Sequence, residues 1–120
     1  MLYQYSPSKL VDKYEDDKYM KKHFGKYIAQ GMSMFLNAIR NATCAFDIFS
    51  TPMFYMEHLK GNLNAYYSIT LDKKKSKYRL LIQMLDESGR VVTPTSDERS
   101  FLKSIKQICI RELSEHYEEY

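Results

Sequence analysis

The residues from His58 to Leu85, HLKGNLNAYYSITLDKKKSKYRLLIQML, constrain the fold of this chain more than any other stretch. Two apolar runs, Ala65–Leu71 and Tyr78–Leu85, flank a lysine-rich turn, which is the pattern of two sheet strands and their connection. In the first run Tyr66, Ser68 and Thr70 alternate with Tyr67, Ile69 and Leu71, so one face is polar and the other apolar. The second run is apolar almost throughout, as a central strand covered on both faces requires. A polar approach, His58-Leu59-Lys60-Gly61-Asn62, leads into the hairpin. The rest of the chain has to cover, edge or extend it.

Upstream, Leu2-Tyr3-Gln4-Tyr5 alternates like a short edge strand. Ser6-Pro7 marks a helix start, with Ser as cap and Pro at the first helical position, and a short helix through Tyr14 follows. Glu15-Asp16-Asp17 puts acids at the amino end of the next helix, where they meet free N–H groups and the positive end of the dipole. That helix spans roughly Asp17–Ala42. Met20, Phe24, Tyr27, Ile28, Met32, Phe35, Leu36 and Ile39 recur at steps of three and four and form its core stripe. Gly25 and Gly31 each weaken it by about 1 kcal/mol relative to Ala, so continuity is poorest near Gly25. A second short helix, Cys44–Phe49, stops before Pro52, and Met53–Met56 enters the sheet.

Beyond the hairpin, Asp86-Glu87-Ser88-Gly89 is a turn, and Arg90-Val91-Val92 is a short strand or loop. Two readings of the last segment stand. Leu102, Ile105, Cys109 and Leu113 make a helical stripe; alternatively a helix ends near Ser104 and Lys106–Leu113 is a strand, which the β-prone Ile108-Cys109-Ile110 favours. The sum is an α+β fold, a small twisted antiparallel sheet against a long helix and a short one. With 120 residues, it forms a single domain, 1–120, whose core needs no metal or disulfide support.

The chemistry the chain lacks is as informative. There are only four glycines, with no phosphate-cradling glycine loop, no GxSxG, no HExxH and no kinase signature, so cofactor and metabolic enzymes are unsupported. Cys44 and Cys109 make no metal or redox spacing, and the three histidines, His23, His58 and His116, lie far apart. No cofactor or metal is expected. Without a disulfide framework, leader peptide or membrane-length apolar run, the expected compartment is the cytoplasm.

A net charge of +3 permits a polyanionic partner without demanding one. Arg79, at the head of the apolar strand, has the group best suited to grip a phosphate through two parallel hydrogen bonds; the plain alternative is an arginine paired with Asp72 or solvated. Lys60 sits in a polar turn, where a lysine is ordinarily solvated, and the run Lys73, Lys74, Lys75 and Lys77 reads either as a soluble hairpin turn or as added affinity for RNA, which salt would weaken. His58 and His116 carry imidazoles, the side chain type suited to acid–base work, with a structural role for each as the alternative reading. Tyr117 beside His116 suits base stacking or hydrogen-bond donation, with a plain terminal tail as the alternative.

Together, His-Leu-Lys-Gly-Asn-Leu-Asn-Ala-Tyr-Tyr-Ser-Ile, then Tyr-Arg-Leu-Leu-Ile after a basic turn, and the terminal His116-Tyr117 resemble the RelE/ParE superfamily of bacterial toxins, and its HigB-type branch more closely. Lys22–Arg40, with Phe24-Gly25-Lys26, is similar to that branch too, so the resemblance covers most of the chain. It implies a messenger RNA endoribonuclease that works on the ribosome without metal, the ribose 2′-OH attacking its own 3′-phosphate. Carried over by position, Arg79 holds the phosphate, Lys60 is a basic partner, His58 lies near the scissile group, and His116 and Tyr117 are the acid–base or stacking pair. The implied partners are the ribosome with its messenger RNA and a helix-turn-helix antitoxin, through which alone the toxin meets DNA; no membrane is involved. Poisoning of DNA gyrase, the sister activity of the fold, and a non-enzymatic partner-binding module remain as alternatives.

Overall fold

The computed structural model describes residues 1–115. The strands are β1 (Leu2–Tyr5), β2 (Glu57–His58), β3 (Tyr67–Ile69), β4 (Arg79–Leu85), β5 (Val91–Val92) and β6 (Gln107–Ser114). The helices are α1 (Val11–Tyr14), α2 (Asp17–Phe24), α3 (Lys26–Asn41), α4 (Ala45–Phe49) and α5 (Glu98–Ser104). One sheet runs in the order β1-β6-β4-β3-β2, with β5 added at the end of β4, and the fold is α+β as expected.

Strand β4 is central because nothing in it after Arg79 is exposed. Leu80, Ile82 and Met84 join Tyr67, Ile69, Ile108 and Ile110 in the main core, and helix α3 supplies Ile28, Met32, Phe35, Leu36 and Ile39 from the other layer. Leu81 and Leu85 alternate to the opposite face, yet they are also buried. The final segment resolves as helix then strand: Leu102 is buried in α5, and Ile108 and Ile110 point into the core from β6. Val91–Val92 is a strand, pairing with Met84 and Leu85.

The sheet is antiparallel except at one edge, where β1 runs parallel to β6, Leu2 opposite Gln107 and Tyr5 opposite Ile110. A parallel pair needs a long crossover; here nearly the whole chain between the two strands supplies it. The single long helix is also corrected. Gly25, at φ +88°, ends α2 and starts α3, and the break turns Tyr27 away from the stripe, leaving it 52% exposed. Helix α2 is capped by Asp16, whose carboxylate accepts from Lys18 N and Tyr19 N at 3.0 and 3.3 Å. Ser6 is no helix cap: the chain after Pro7 forms a 3-10 turn, Ser8–Leu10, and the Ser6 hydroxyl accepts from Arg111 Nη1 at 3.0 Å. Strand β3 is shorter than the apolar run, because Tyr66 N turns back to Leu63 O and Thr70 N donates to Phe54 O.

Glu15 ties the layers together at the β1 edge. It accepts from Tyr5 Oη at 2.8 Å, Tyr3 Oη at 3.2 Å and Arg40 Nη2 at 3.1 Å. Burial, then the Glu15 carboxylate, pushes the Tyr5 phenol far above its ordinary range, so it stays a donor. Where α3 crosses the end of β3, Gly31 allows direct contact: a Cβ there would lie 1.9 Å from Leu71 O. Among the described residues no helix is long and apolar enough to cross a membrane.

Candidate nucleic-acid interface

Arg79 opens β4 opposite Ser114 of β6. Strand alternation places it with Leu81 and Gln83, on the face turned from the α3 layer. It is half-buried. Its Nη1 donates to Ser76 O at 2.9 Å and to Tyr78 O at 2.7 Å. The lysine turn therefore clamps one corner of the guanidinium with its own carbonyls. Among the described residues, Nε and Nη2 have no hydrogen-bond partner, and Arg79 makes no ion pair with Asp72. A guanidinium has five N–H donors, so the side chain is fixed and still has a free edge.

The lysine turn lies against aromatic rings that the sequence does not single out. Lys73 and Lys74 are left-handed, at φ 57° and 64°. Lys74 Nζ sits 4.4 Å from the ring centre of Tyr55, and Lys75 Nζ 4.4 Å from that of Tyr27, which Lys26 Nζ also approaches at 5.2 Å. Tyr55 is 50% exposed. Lys77 is exposed in the same turn. The result is a basic surface interleaved with aromatic faces, continuous in sequence with Arg79, which is the composition that single-stranded nucleic acid favours.

His58 and Lys60 do not join it. His58 pairs with Tyr67, which pairs with Ile82, three residues along β4 from Arg79. At about 3.3 Å per residue and 4.8 Å per strand, His58 and Arg79 are about 14 Å apart. Lys60 lies further off, because β2 runs on away from the Arg79 end. The physical cause is antiparallel pairing: the loop before β3 and the turn after it emerge at opposite ends of the sheet. His58 instead holds its loop. Its Nε2 lies 2.6 Å from Asn64 O and so bears the proton it donates, and the ring stacks on Tyr67 at 5.1 Å. Tyr67 in turn donates to Glu98 Oε2 at 3.0 Å, and burial, reinforced by that carboxylate, raises its pKa strongly. Lys60 is exposed beside the 3-10 turn Gly61–Leu63. His116 and Tyr117 lie outside the described residues.

Two further groups bear on chemistry. Burial pushes the Cys109 thiol up, with Arg111 opposing in part, so the sulfur is protonated near neutrality and is a poor nucleophile. Asp72, 7% exposed, has a buried Oδ1 with no hydrogen-bond partner among the described residues. Among the described residues no three His, Cys, Asp or Glu side chains are grouped to hold a metal. Comparison with family models, curated proteins and solved structures finds no match to this chain.

Proposed function

We propose that the chain is a messenger RNA endoribonuclease acting at the ribosome, the toxin of a bacterial toxin–antitoxin pair of RelE/ParE type, HigB-like. It works in the cytoplasm and is neutralised by a helix-turn-helix antitoxin. The observation that carries the reading is the state of Arg79: one nitrogen anchored by two turn carbonyls, the remaining edge free of protein partners among the described residues. An arginine serving only to stabilise the turn would not need that edge. An arginine gripping a phosphate would.

In the reaction the 2′-oxygen forms a bond to phosphorus as the bond to the 5′-oxygen breaks. The 2′-OH proton passes to a base, and the leaving 5′-oxygen takes a proton from an acid. Arg79 stabilises the added charge on the phosphoryl oxygens, and the lysine turn steers the strand. His116 and Tyr117 follow in sequence from the strand paired with Arg79 and are the residues assigned to proton transfer. Lys60 and His58 are too distant to share that phosphate, and they take supporting roles in the loop they occupy.

Primer extension on cellular transcripts after induction of the chain tests the proposal. Cleavage ends are expected with the native chain. Arg79→Ala is expected to lower cleavage by about 10²- to 10³-fold, the usual effect of removing one charge-stabilising donor, while the protein remains folded and binds its antitoxin. Intact transcripts with double-strand DNA breaks would turn the assignment to gyrase, and no growth arrest would turn it to a non-enzymatic module. A folded Arg79→Ala protein that still cuts at the native rate refutes the role of Arg79.

A further inference from the structure

From Tyr27 to Ile39, helix α3 carries no charged residue. Its solvent side over that span is Tyr27, Gln30, Ser33, Met34 and Asn37. A helix face that meets only water is ordinarily charged and polar, whereas the middle of a protein interface is depleted of charge and enriched in Tyr and Met. Tyr27 is 52% exposed and Met34 44%, and they stand two helical turns, about 10 Å, apart. With Gln30 they form a ridge that has a depression on each side. One, of about 460 Å³, lies between α3 and the lysine turn and is lined by Met53 and Leu71. The other, of about 550 Å³, extends to Lys21 and Lys26. Exposed charge returns at the rim, with Lys21 and Lys26 on one side and Lys73 and Lys75 on the other. Asp17, in the same rim, is paired with Lys21 at 2.7 Å. The face is therefore neutral in the middle and positive around it.

We propose that this face docks an acidic amphipathic helix of another protein. Helix α3 spends its backbone N–H and C=O groups internally, so an extended peptide laid along it would bury its own without partners. A helix arrives with those bonds already made. Its apolar residues, three and four apart, pack around Tyr27, Gln30 and Met34, ridge into groove. Its carboxylates flank that stripe and meet the rim lysines. Lys75 and Lys26 rest on the Tyr27 ring, 4.4 and 5.2 Å from its centre, and an exposed contact of that kind is weak, so both are released to the carboxylates at little cost. A second copy of this chain is a poor occupant, because its rim would set lysine against lysine. An RNA strand would use the lysines and leave the uncharged middle idle, where Met34 and Met53 offer adaptable apolar surface. The docking needs no cleavage chemistry and stands whether or not the chain cuts RNA.

The experiment is an amide-shift NMR titration of the full chain with a synthetic helical peptide of about 18 residues, or five turns. The peptide is built of Leu, Glu, Gln and Ala, with Leu at steps of three and four and Glu on both flanks of that stripe. Parallel titrations use the same composition scrambled, the same peptide with Lys in place of Glu, a 2′-O-methyl oligouridylate that cannot be cleaved, and phosphatidylserine vesicles. Saturable shifts are expected at Tyr27, Gln30, Met34 and Met53, and binding should weaken as salt screens the rim charges. The scrambled and lysine peptides should bind about tenfold more weakly. Met34→Glu and Gln30→Glu, both at exposed positions, put a like charge in the neutral middle and should each weaken the acidic peptide about tenfold, with circular dichroism checking that each variant is folded. Scrambled or lysine peptides that bind as tightly, shifts away from this face, or native affinity in the folded variants each overturns the proposal. Shifts on this face from the oligouridylate or the vesicles, with none from the acidic peptide, overturn it in favour of RNA or of a membrane surface.

Discussion

Gly31→Ala is the substitution for which local and tertiary reasoning give opposite signs. As a helix residue, Gly31 costs about 1 kcal/mol relative to Ala, so replacing it would stabilise α3. In the folded chain the new Cβ would lie 1.9 Å from Leu71 O, 2.6 Å from Leu71 C and 2.8 Å from Leu71 Cβ. Two of these atoms are backbone, held where Asp72 begins the lysine turn, and no rotamer change relieves them. Restoring an ordinary contact of about 3.4 Å moves helix and strand apart by about 1.5 Å, along a seam that includes buried Met32 and Phe35. Overpacking a well-filled core costs about 1–3 kcal/mol, and a backbone clash of this depth belongs at the upper end. Against the helix gain, the net loss is about 2 kcal/mol, which lowers Tm by about 8 °C in a domain of this size. Thermal and urea unfolding followed by circular dichroism measure it, with Ser33→Ala, on the exposed side of the same helix, as the control that keeps the propensity gain without the clash. If Gly31→Ala is as stable as the native chain, the close approach of α3 to Leu71 is wrong.

Two other perturbations follow from the same geometry. Changing Lys73, Lys74 and Lys75 together to Glu should weaken binding to ribosomes or RNA most at low salt, because exposed charges lose reach as ions screen them; equal binding by both proteins across a salt series would reduce the run to a solubility device. Asp97 caps α5, accepting from Ser100 N at 3.1 Å and Ser100 Oγ at 2.9 Å, and these donors hold its carboxyl below the usual 3.8. A depressed carboxylate contributes stability above its unfolded pKa and loses it as pH falls through the folded value. Tm of the native chain should therefore fall below about pH 4 more steeply than that of Asp97→Asn; parallel acid limbs would remove the cap from the account.

Much of the fold was legible in the chain because local period encodes which side of an element is apolar. The continuous apolar run after Arg79 reads as a central strand, and Ile108-Cys109-Ile110 as a strand that β6 realises. The α3 stripe reads correctly from Ile28 onward. It fails at Tyr27, where a single periodicity was carried across Gly25, although the positive φ of that glycine resets the helix. Arg79 was visible as a cation at a strand head, but its anchoring was not. Sequence proximity suggested Asp72 as its partner; the turn geometry gave it two carbonyls and left Asp72 buried without a donor.

What the sequence by itself determined, then, is the central strand after Arg79, the apolar stripe of α3 from Ile28 onward and the basic turn that leads into Arg79. Tertiary structure alone decided which faces and ends meet. It set β1 parallel beside β6, pressed Gly31 onto Leu71, and carried His58 and Lys60 to the end of the sheet away from Arg79. The reason is physical: periodicity is written within a few residues, whereas strand pairing and layer packing are chosen by buried area and hydrogen bonding summed over segments far apart in the chain.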